Sequence, residues 1–486
     1  MTSRPWLLAP AHRPVAAAVV GLLVSAPYWS GGAVWDDHTL IVGHLAQLHI
    51  TDIPRIWREA VGLGDTGAAY YRPVATTLLA VLGRVSISSI HGMTGLLHGA
   101  SAALLCILGG RTPVAMFGAL VFAVHPIGWE VLGWASALPD ALAVTLGLAM
   151  LVAAGRGATV GVGLLALAAM LSKESALVWL LAGAVAGRLK RADLAAALTG
   201  LTVAVGLRFG VGVTTTPPTG EFDVVHLTKV WLSQLGTILW PLPLTAVRDT
   251  HHLSMAAVFC GLGILAAMGV LTWRPDRVLR AAGLVILAAP ALALPTTWSS
   301  HLATDRYMYA AVAGLGWGLS RIPGVVQGRG VGVLAAAGLG LAVHGFCAPA
   351  WQSDLALFGQ AVEAQPQSSY SWHFLGHAHA QRGDWTSASE AFDRARKLPH
   401  AHPLSVQLAM QAMVLGGDHT GAADIGRSGP TEGLTAEWLA WWARAELGAG
   451  HTNEARRLLL LLRQPDGSFD GPPFVVRLMD QIEQSR

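Results

Sequence analysis

Residues 140–187 read DALAVTLGLAMLVAAGRGATVGVGLLALAAMLSKESALVWLLAGAVAG. The stretch holds three apolar runs, 140–155, 158–172 and 175–187, parted by Arg156 and by the pair Lys173-Glu174. Each is shorter than the roughly 20 residues a helix needs to cross a bilayer core. Short neighbours with so few charges between them predict tight helical hairpins in an apolar solvent rather than a soluble fold.

The same texture extends in both directions. Further apolar segments lie at 14–30, 91–110, 113–126, 193–212, 253–272, 281–297, 307–320 and 331–347, which predicts about eleven spans. Across all 486 residues, 53% are hydrophobic and only 13% charged, where soluble domains carry roughly a quarter. A bilayer hides that apolar surface and a soluble chain could not. Segments 73–90 and 229–247 are interrupted by Arg84, Pro241 and Pro243 and read as interfacial or re-entrant pieces. Arg4 and Arg13 precede the first run, which reads as an uncleaved first span. The net charge of +3 gives no reason to expect a nucleic-acid partner. Cys106, Cys260 and Cys347 lie far apart in apolar stretches and read as packing residues, with no disulfide framework and no paired metal spacing.

Loop charges set an orientation. Arg111, Arg156, the Arg188/Lys190/Arg191 group, Arg274/Arg277/Arg280 and Arg321/Arg329 fall on turns that share a side with Arg4 and Arg13. By the positive-inside rule that side is cytoplasmic. The opposite side then holds the long loop 31–90, the turns near 125–140 and 173–174, and the loops 213–252 and 298–306. An odd number of spans puts the chain from Trp351 onward on that side too.

At Trp351 the composition turns polar and the period helical. Trp372, Leu375 and Gly376, then Ala388, Phe392, Ala395 and Pro399, follow tetratricopeptide spacing, with a helix turn at Gly383-Asp384. A weaker unit spans 436–463, and 401–430 has room for a degraded one. The reading is thus all-α: a polytopic membrane bundle over 1–350 and a short α-solenoid over 351–486. The solenoid is either a peptide- or protein-binding platform or a purely structural lid.

The unusual polar residues fall in the loops assigned outside. Trp35-Asp36-Asp37 sets adjacent carboxylates at a membrane boundary, where they serve as a general base or simply as a cap or solvated loop end. His125-Pro126-Ile127-Gly128-Trp129-Glu130 continues to Trp134 and Asp140. His125 and Glu130 could bind an acceptor, a sugar or a metal, and Trp129 and Trp134 could stack on a sugar or join the interfacial belt. Lys173-Glu174 is either a neutralised pair or a presenter of Lys173 to a lipid phosphate. Asp305-Arg306-Tyr307-Met308-Tyr309 supplies a guanidinium fork suited to phosphate, or else an Arg306 contact with Asp305 or a headgroup. Tyr70-Tyr71-Arg72-Pro73 chiefly shapes the first loop, with Arg72 a second candidate for phosphate. Carboxylates, cations and aromatics on one face suit an enzyme fed by a lipid-phosphate-linked donor.

The ordered set is more specific than its members. Val34-Trp35-Asp36-Asp37, Tyr71-Arg72-Pro73, His98, the His125–Asp140 turn, Leu171-Ser172-Lys173-Glu174 and Arg306-Tyr307-Met308-Tyr309, followed by repeats, resembles the transmembrane and tetratricopeptide repeat O-mannosyltransferases, especially their bacterial relatives. The resemblance covers nearly the whole chain. It implies a GT-C glycosyltransferase that takes mannose or another hexose from a polyprenyl-phosphate carrier, with inversion, outside the cytoplasm. It implies Asp36 as general base with Asp37 as neighbour or substitute, and a substrate or acceptor site lined by His125, Glu130, Trp134 and Asp140. Lys173, Arg306 and Arg72 would hold the carrier phosphate. No metal or other cofactor is implied beyond the sugar donor. The chain departs from the family pattern at His44, Gly128 and Ala137-Leu138-Pro139. The implied setting is the inner membrane, with the first loop and tail periplasmic and exported proteins among the acceptors. A lipid-linked glycan ligase or polymerase is the rival enzyme, although its key loop usually comes late. A non-enzymatic scaffold with a protein-binding tail is the other alternative.

Overall fold

The computed structural model describes residues 9–62, 69–213, 223–273, 275–292, 294–322, 330–429, 434–466 and 468–484. Arg4, Arg274 and Arg329, which the orientation argument also uses, lie outside them or have no described side chain. The chain divides into two compact units, Met1–Leu357 and Phe358–Arg486. Among the described residues the structure is almost wholly helical. The strands are two-residue antiparallel ladders, Val61–Gly62 with Ala69–Tyr70 and Arg248–Asp249 with Leu302–Ala303.

In the first unit the apolar segments all carry helices. They are Arg13–Ser25, Ile87–Leu108, Pro113–Val124, Leu138–Gly155, Thr159–Met170, Leu177–Val185, Arg191–Gly210, Met255–Thr272, Arg277–Ala291, Tyr309–Leu319 and Gly330–Cys347. Among the described residues three helices, Ile87–Leu108, Ala135–Gly155 and Arg191–Gly210, are long and apolar enough to cross a membrane. Local chemistry sets the ends. The Ser86 hydroxyl accepts from the Ser89 amide at 3.1 Å, and the Thr112 hydroxyl from the Ala115 amide at 3.0 Å. Pro113 is pre-set for the first turn that follows. Gly157 and Gly187, at φ 71° and 65°, turn the chain out of two other helices. Both are left-handed positions that glycine occupies without strain.

Small residues let the helices close up. A Cβ on Gly118 would lie 2.1 Å from the Gly316 carbonyl oxygen. Any side chain there would force Pro113–Val124 off Tyr309–Leu319. Histidines tie helices across the unit. His98 Nε2 faces the Ala123 carbonyl at 3.0 Å, His344 Nε2 the His125 carbonyl at 3.2 Å, and His125 Nε2 the Ile238 carbonyl at 3.0 Å. A carbonyl only accepts, so each Nε2 carries the proton. The three Nδ1 atoms meet the Tyr309 hydroxyl, the Tyr28 hydroxyl and the Ile127 amide, respectively. Both nitrogens of all three rings are engaged.

The helix Leu138–Gly155 gives the unit two ends. Asp140 stands in its first turn, and the Arg188 guanidinium lies beside Gly155 at its last. At the Gly155 end Arg188 donates to the Leu108 carbonyl at 2.9 Å, and Arg13 to the Arg111 carbonyl at 2.6 Å.

The second unit, taken by itself, is a run of helices: Ser369–Gln381, Trp385–Lys397, Ser405–Gly416, His419–Ser428, Ala436–Gly448, Thr452–Leu460 and Phe474–Gln484. The turns after Ser369–Gln381, Ser405–Gly416 and Ala436–Gly448 pass through left-handed glycines at Gly383, Gly417 and Gly450. After the first two, the carboxylates of Asp384 and Asp418 cap the next helix on the amides of Ser387 (3.1 Å) and Gly421 (2.9 Å). Such caps satisfy amides that the first helical turn leaves without partners. Phe392 fills the space a side chain at Gly376 would need, a Cβ there lying 2.7 Å from its ring.

Candidate active site

The Asp140 end of the first unit gathers the polar residues that stand out in the sequence. The acidic turn comes first. Trp35 adopts φ 56° at the start of the turn that carries the half-buried Asp36 and the buried Asp37. That turn is strapped down by Asp354, whose Oδ1 accepts the Trp35 amide at 2.8 Å and whose Oδ2 meets His38 Nε2 at 3.1 Å. The Gly32 amide donates to the Trp351 carbonyl at 3.1 Å. A Cβ on Gly32 would sit 2.5 Å from the Gln352 carbonyl oxygen, so only glycine lets the strap seat.

The two carboxylates differ. Asp37 is buried and spoken for: Oδ1 accepts the Ser136 amide (2.8 Å) and hydroxyl (2.5 Å), and Oδ2 accepts the Val34 amide (3.2 Å). Burial and then the Asp36 charge push its carboxyl up to about 7. Asp36 is half-buried, and its shielded Oδ1 takes no hydrogen bond. Burial raises Asp36 as well, while Arg306 opposes that rise. The Ser136 hydroxyl and Trp134 indole lie near enough to favour its ionised form without bonding Oδ1.

Arg306 is built in from several directions. Its Nη1 donates to Glu130 Oε1 at 3.0 Å, and its own amide and that of Asp305 donate to Oε2 at 3.2 and 2.6 Å. Its guanidinium lies 4.2 Å from the Trp134 ring centroid, a cation–π contact. Trp134 in turn stacks on Trp35, with ring centroids 5.3 Å apart and planes 14° from parallel. Burial works against the Arg306 charge, but Tyr307, Glu130, Asp140 and Asp36 outweigh it and hold it firmly protonated. Burial raises Glu130 in its turn, with Arg306 pulling the other way.

Lys173 pairs with Asp140 at 2.5 Å, both buried. Lys173 and Arg306 share the Tyr307 ring, at 5.1 and 5.2 Å from its centroid. Arg72 donates from Nε and Nη2 to Glu174 Oε2 at 3.0 and 2.8 Å, and Arg208 donates to Oε1.

The structure thus brings Asp36, Asp37, Glu130, Trp134, Asp140, Arg306 and Lys173 into one neighbourhood, with Arg72 within electrostatic reach of Asp140. His125, expected to line the site, is placed differently, because both of its ring nitrogens are used inside the protein. Trp134 is buried beneath Trp35 and Arg306. Arg248, Arg208, Ser136 and Asp354 complete the arrangement, and the sequence reading does not single them out. Arg248 is buried against Asp305, Nε to Oδ1 at 3.1 Å and Nη2 to Oδ2 at 3.2 Å, and Trp129 Nε1 donates to the same carboxylate at 3.1 Å. This clamp fixes the segment that presents Arg306.

The result is an underemployed carboxylate beside a fixed cation, with further cations along the same end. Comparison of the sequence finds no matching protein-family model and no curated protein of significant similarity.

Proposed function

We propose that the chain is a membrane-embedded, inverting GT-C-type glycosyltransferase that moves a hexose from a polyprenyl phosphate to a hydroxyl acceptor. The observation that carries this reading is Asp36. It is the one carboxylate of the acidic turn without a hydrogen bond to its shielded oxygen, and it stands beside Arg306. A structural acid is satisfied by donors, as Asp37 is; a base must keep an oxygen available for its substrate.

The chemistry follows from the charges. Asp36 accepts the proton of the acceptor hydroxyl as that oxygen attacks the anomeric carbon. The bond from that carbon to the phosphate oxygen breaks on the opposite face, so configuration inverts. The phosphate leaves with the bonding pair, and fixed cations stabilise its growing charge without reorganising. Arg306, held by Glu130 and Trp134, acts on the sugar side of that phosphate.

We read the second unit as a short tetratricopeptide solenoid that docks a protein acceptor. Its left-handed glycines, Gly383, Gly417 and Gly450, support the assignment. They recur at about the 34-residue period of that repeat. In this account Asp36, Arg306 and the solenoid share the periplasmic side. The test is Asp36→Asn in the native host, with exported glycoproteins and glycolipids read by mass spectrometry. Loss of a hexose from a defined set supports the reading, and an unchanged profile removes it.

A further inference from the structure

Setting each cation of the site against the carboxylate it touches separates the cations into two kinds. Arg306 is matched by Glu130, Arg248 by Asp305 and Lys173 by Asp140, one to one. Arg72 and Arg208 share a single carboxylate, Glu174. Asp140 lies within reach of Arg72 but is committed to Lys173. Among the described ion pairs, Lys173, Arg72 and Arg208 therefore meet only Asp140 and Glu174, and Glu174 alone serves two guanidiniums.

Geometry and access agree with the charge. Glu174 bridges the two guanidiniums, one oxygen to each. The oxygens of a phosphate would lie between two arginine forks in the same way. The side chains of Arg72, Arg208 and Glu174 are 22%, 24% and 39% exposed, whereas that of Lys173 is 8% exposed. The Tyr70 ring lies 4.6 Å from the Arg72 guanidinium. Arg208 stands in the last turn of Arg191–Gly210, between Leu207 and Phe209, both exposed. An anionic head at the arginines would have apolar surface beside it for a hydrocarbon tail.

We propose that Arg72 and Arg208 form the seat for the phosphate of a lipid carrier, and that Glu174 is a placeholder which the phosphate displaces. This deepens the glycosyltransferase reading and rests on it for the identity of the carrier. Lys173 and Arg306, already neutralised, orient the sugar end and do not anchor the head. Glu174 sets the affinity by competition: it keeps two arginines together in the empty site and yields because it can swing into water.

The test uses the full-length protein in phosphatidylcholine nanodiscs with farnesyl phosphate as the probe, farnesol as the uncharged control and inorganic phosphate as competitor. Glu174→Gln should tighten farnesyl phosphate binding by about threefold or more, and Arg208→Ala should weaken it by about tenfold. Farnesol should respond to neither change. Competition by inorganic phosphate at comparable concentrations would assign the seat to phosphate of any source and overturn the lipid assignment. Weak competition supports the lipid. Unchanged or weaker binding in Glu174→Gln overturns the placeholder, and that variant keeps the question decidable if melting shows Arg208→Ala to be misfolded. Binding needs no turnover. A glycan profile unchanged by deletion of the protein would therefore defeat the enzyme reading without touching the seat, and a failed Glu174→Gln result would do the converse.

Discussion

Glu130 and Arg306 are joined at both oxygens of one buried carboxylate, the guanidinium on Oε1 at 3.0 Å and the Arg306 amide on Oε2 at 3.2 Å. Such a pair fixes a cation where charge will develop, and it leaves a costly remainder when one partner goes. Glu130→Ala should lower stability by about 3–5 kcal/mol. Glu130→Leu with Arg306→Met should recover only the part due to the unpaired guanidinium, because the Asp305 and Arg306 amides stay without their acceptor. Denaturation of both variants in detergent checks this, and equal losses in the single and double variants would contradict it.

Asp36 and Asp37 should separate function from stability. Asp37→Ala strands the Ser136 and Val34 amides and should cost about 1–3 kcal/mol. Asp36→Asn removes a carboxylate whose shielded oxygen is unbonded and should leave the melting temperature nearly unchanged. Thermal melts of the two variants side by side decide it.

Stability should fall as pH rises, on account of Asp37. Its carboxyl is raised to about 7 in the fold by burial and by Asp36. A raised carboxyl binds its proton more tightly folded than unfolded, so its contribution is full below the unfolded value of about 4 and lost as pH rises through about 7. Melts between about pH 5 and 8 should show a decline that Asp37→Asn flattens. Transfer should run the other way, since Asp36 must be ionised to accept a proton.

The second unit should respond to pH with the opposite sign. His373 and His402 stack at 3.6 Å, and burial, then His377, holds His402 down to about 4. A lowered histidine stabilises the fold while neutral, so the contribution is present above the unfolded value of about 6.5 and lost as pH falls through about 4. Protection factors from hydrogen exchange, corrected for the intrinsic slowing of amide exchange with falling pH, should drop in peptides covering 369–381 and 400–416 on acidification from about pH 7 to 5. His402→Gln should blunt that change.

How much of this is legible in the sequence depends on contrast. Charged residues in an apolar chain are conspicuous, so Asp36, Glu130, Lys173 and Arg306 stand out, and the structure gathers them at one end. Arg248 does not stand out, because its partner Asp305 is 57 residues away. The ladder between their segments is too short to leave a period-two pattern. Arg208 sits inside an apolar helix and gains meaning only beside Glu174. Asp354 follows the shift to polar composition at Trp351 and so reads as tail, yet its packing belongs to the acidic turn. His125 looks available because a sequence does not show that the Ile238 carbonyl will accept its ring N–H. In each instance a long-range contact decides the role, and periodicity carries no record of such contacts.

The central claim is that Asp36 is the base of a lipid-fed glycosyl transfer. The most direct measurement is hexose occupancy of exported glycoproteins in cells that carry wild-type protein, Asp36→Asn or no copy, with membrane abundance of the two proteins matched. The account predicts that Asp36→Asn gives the profile of the deletion. Wild-type occupancy in Asp36→Asn would contradict it.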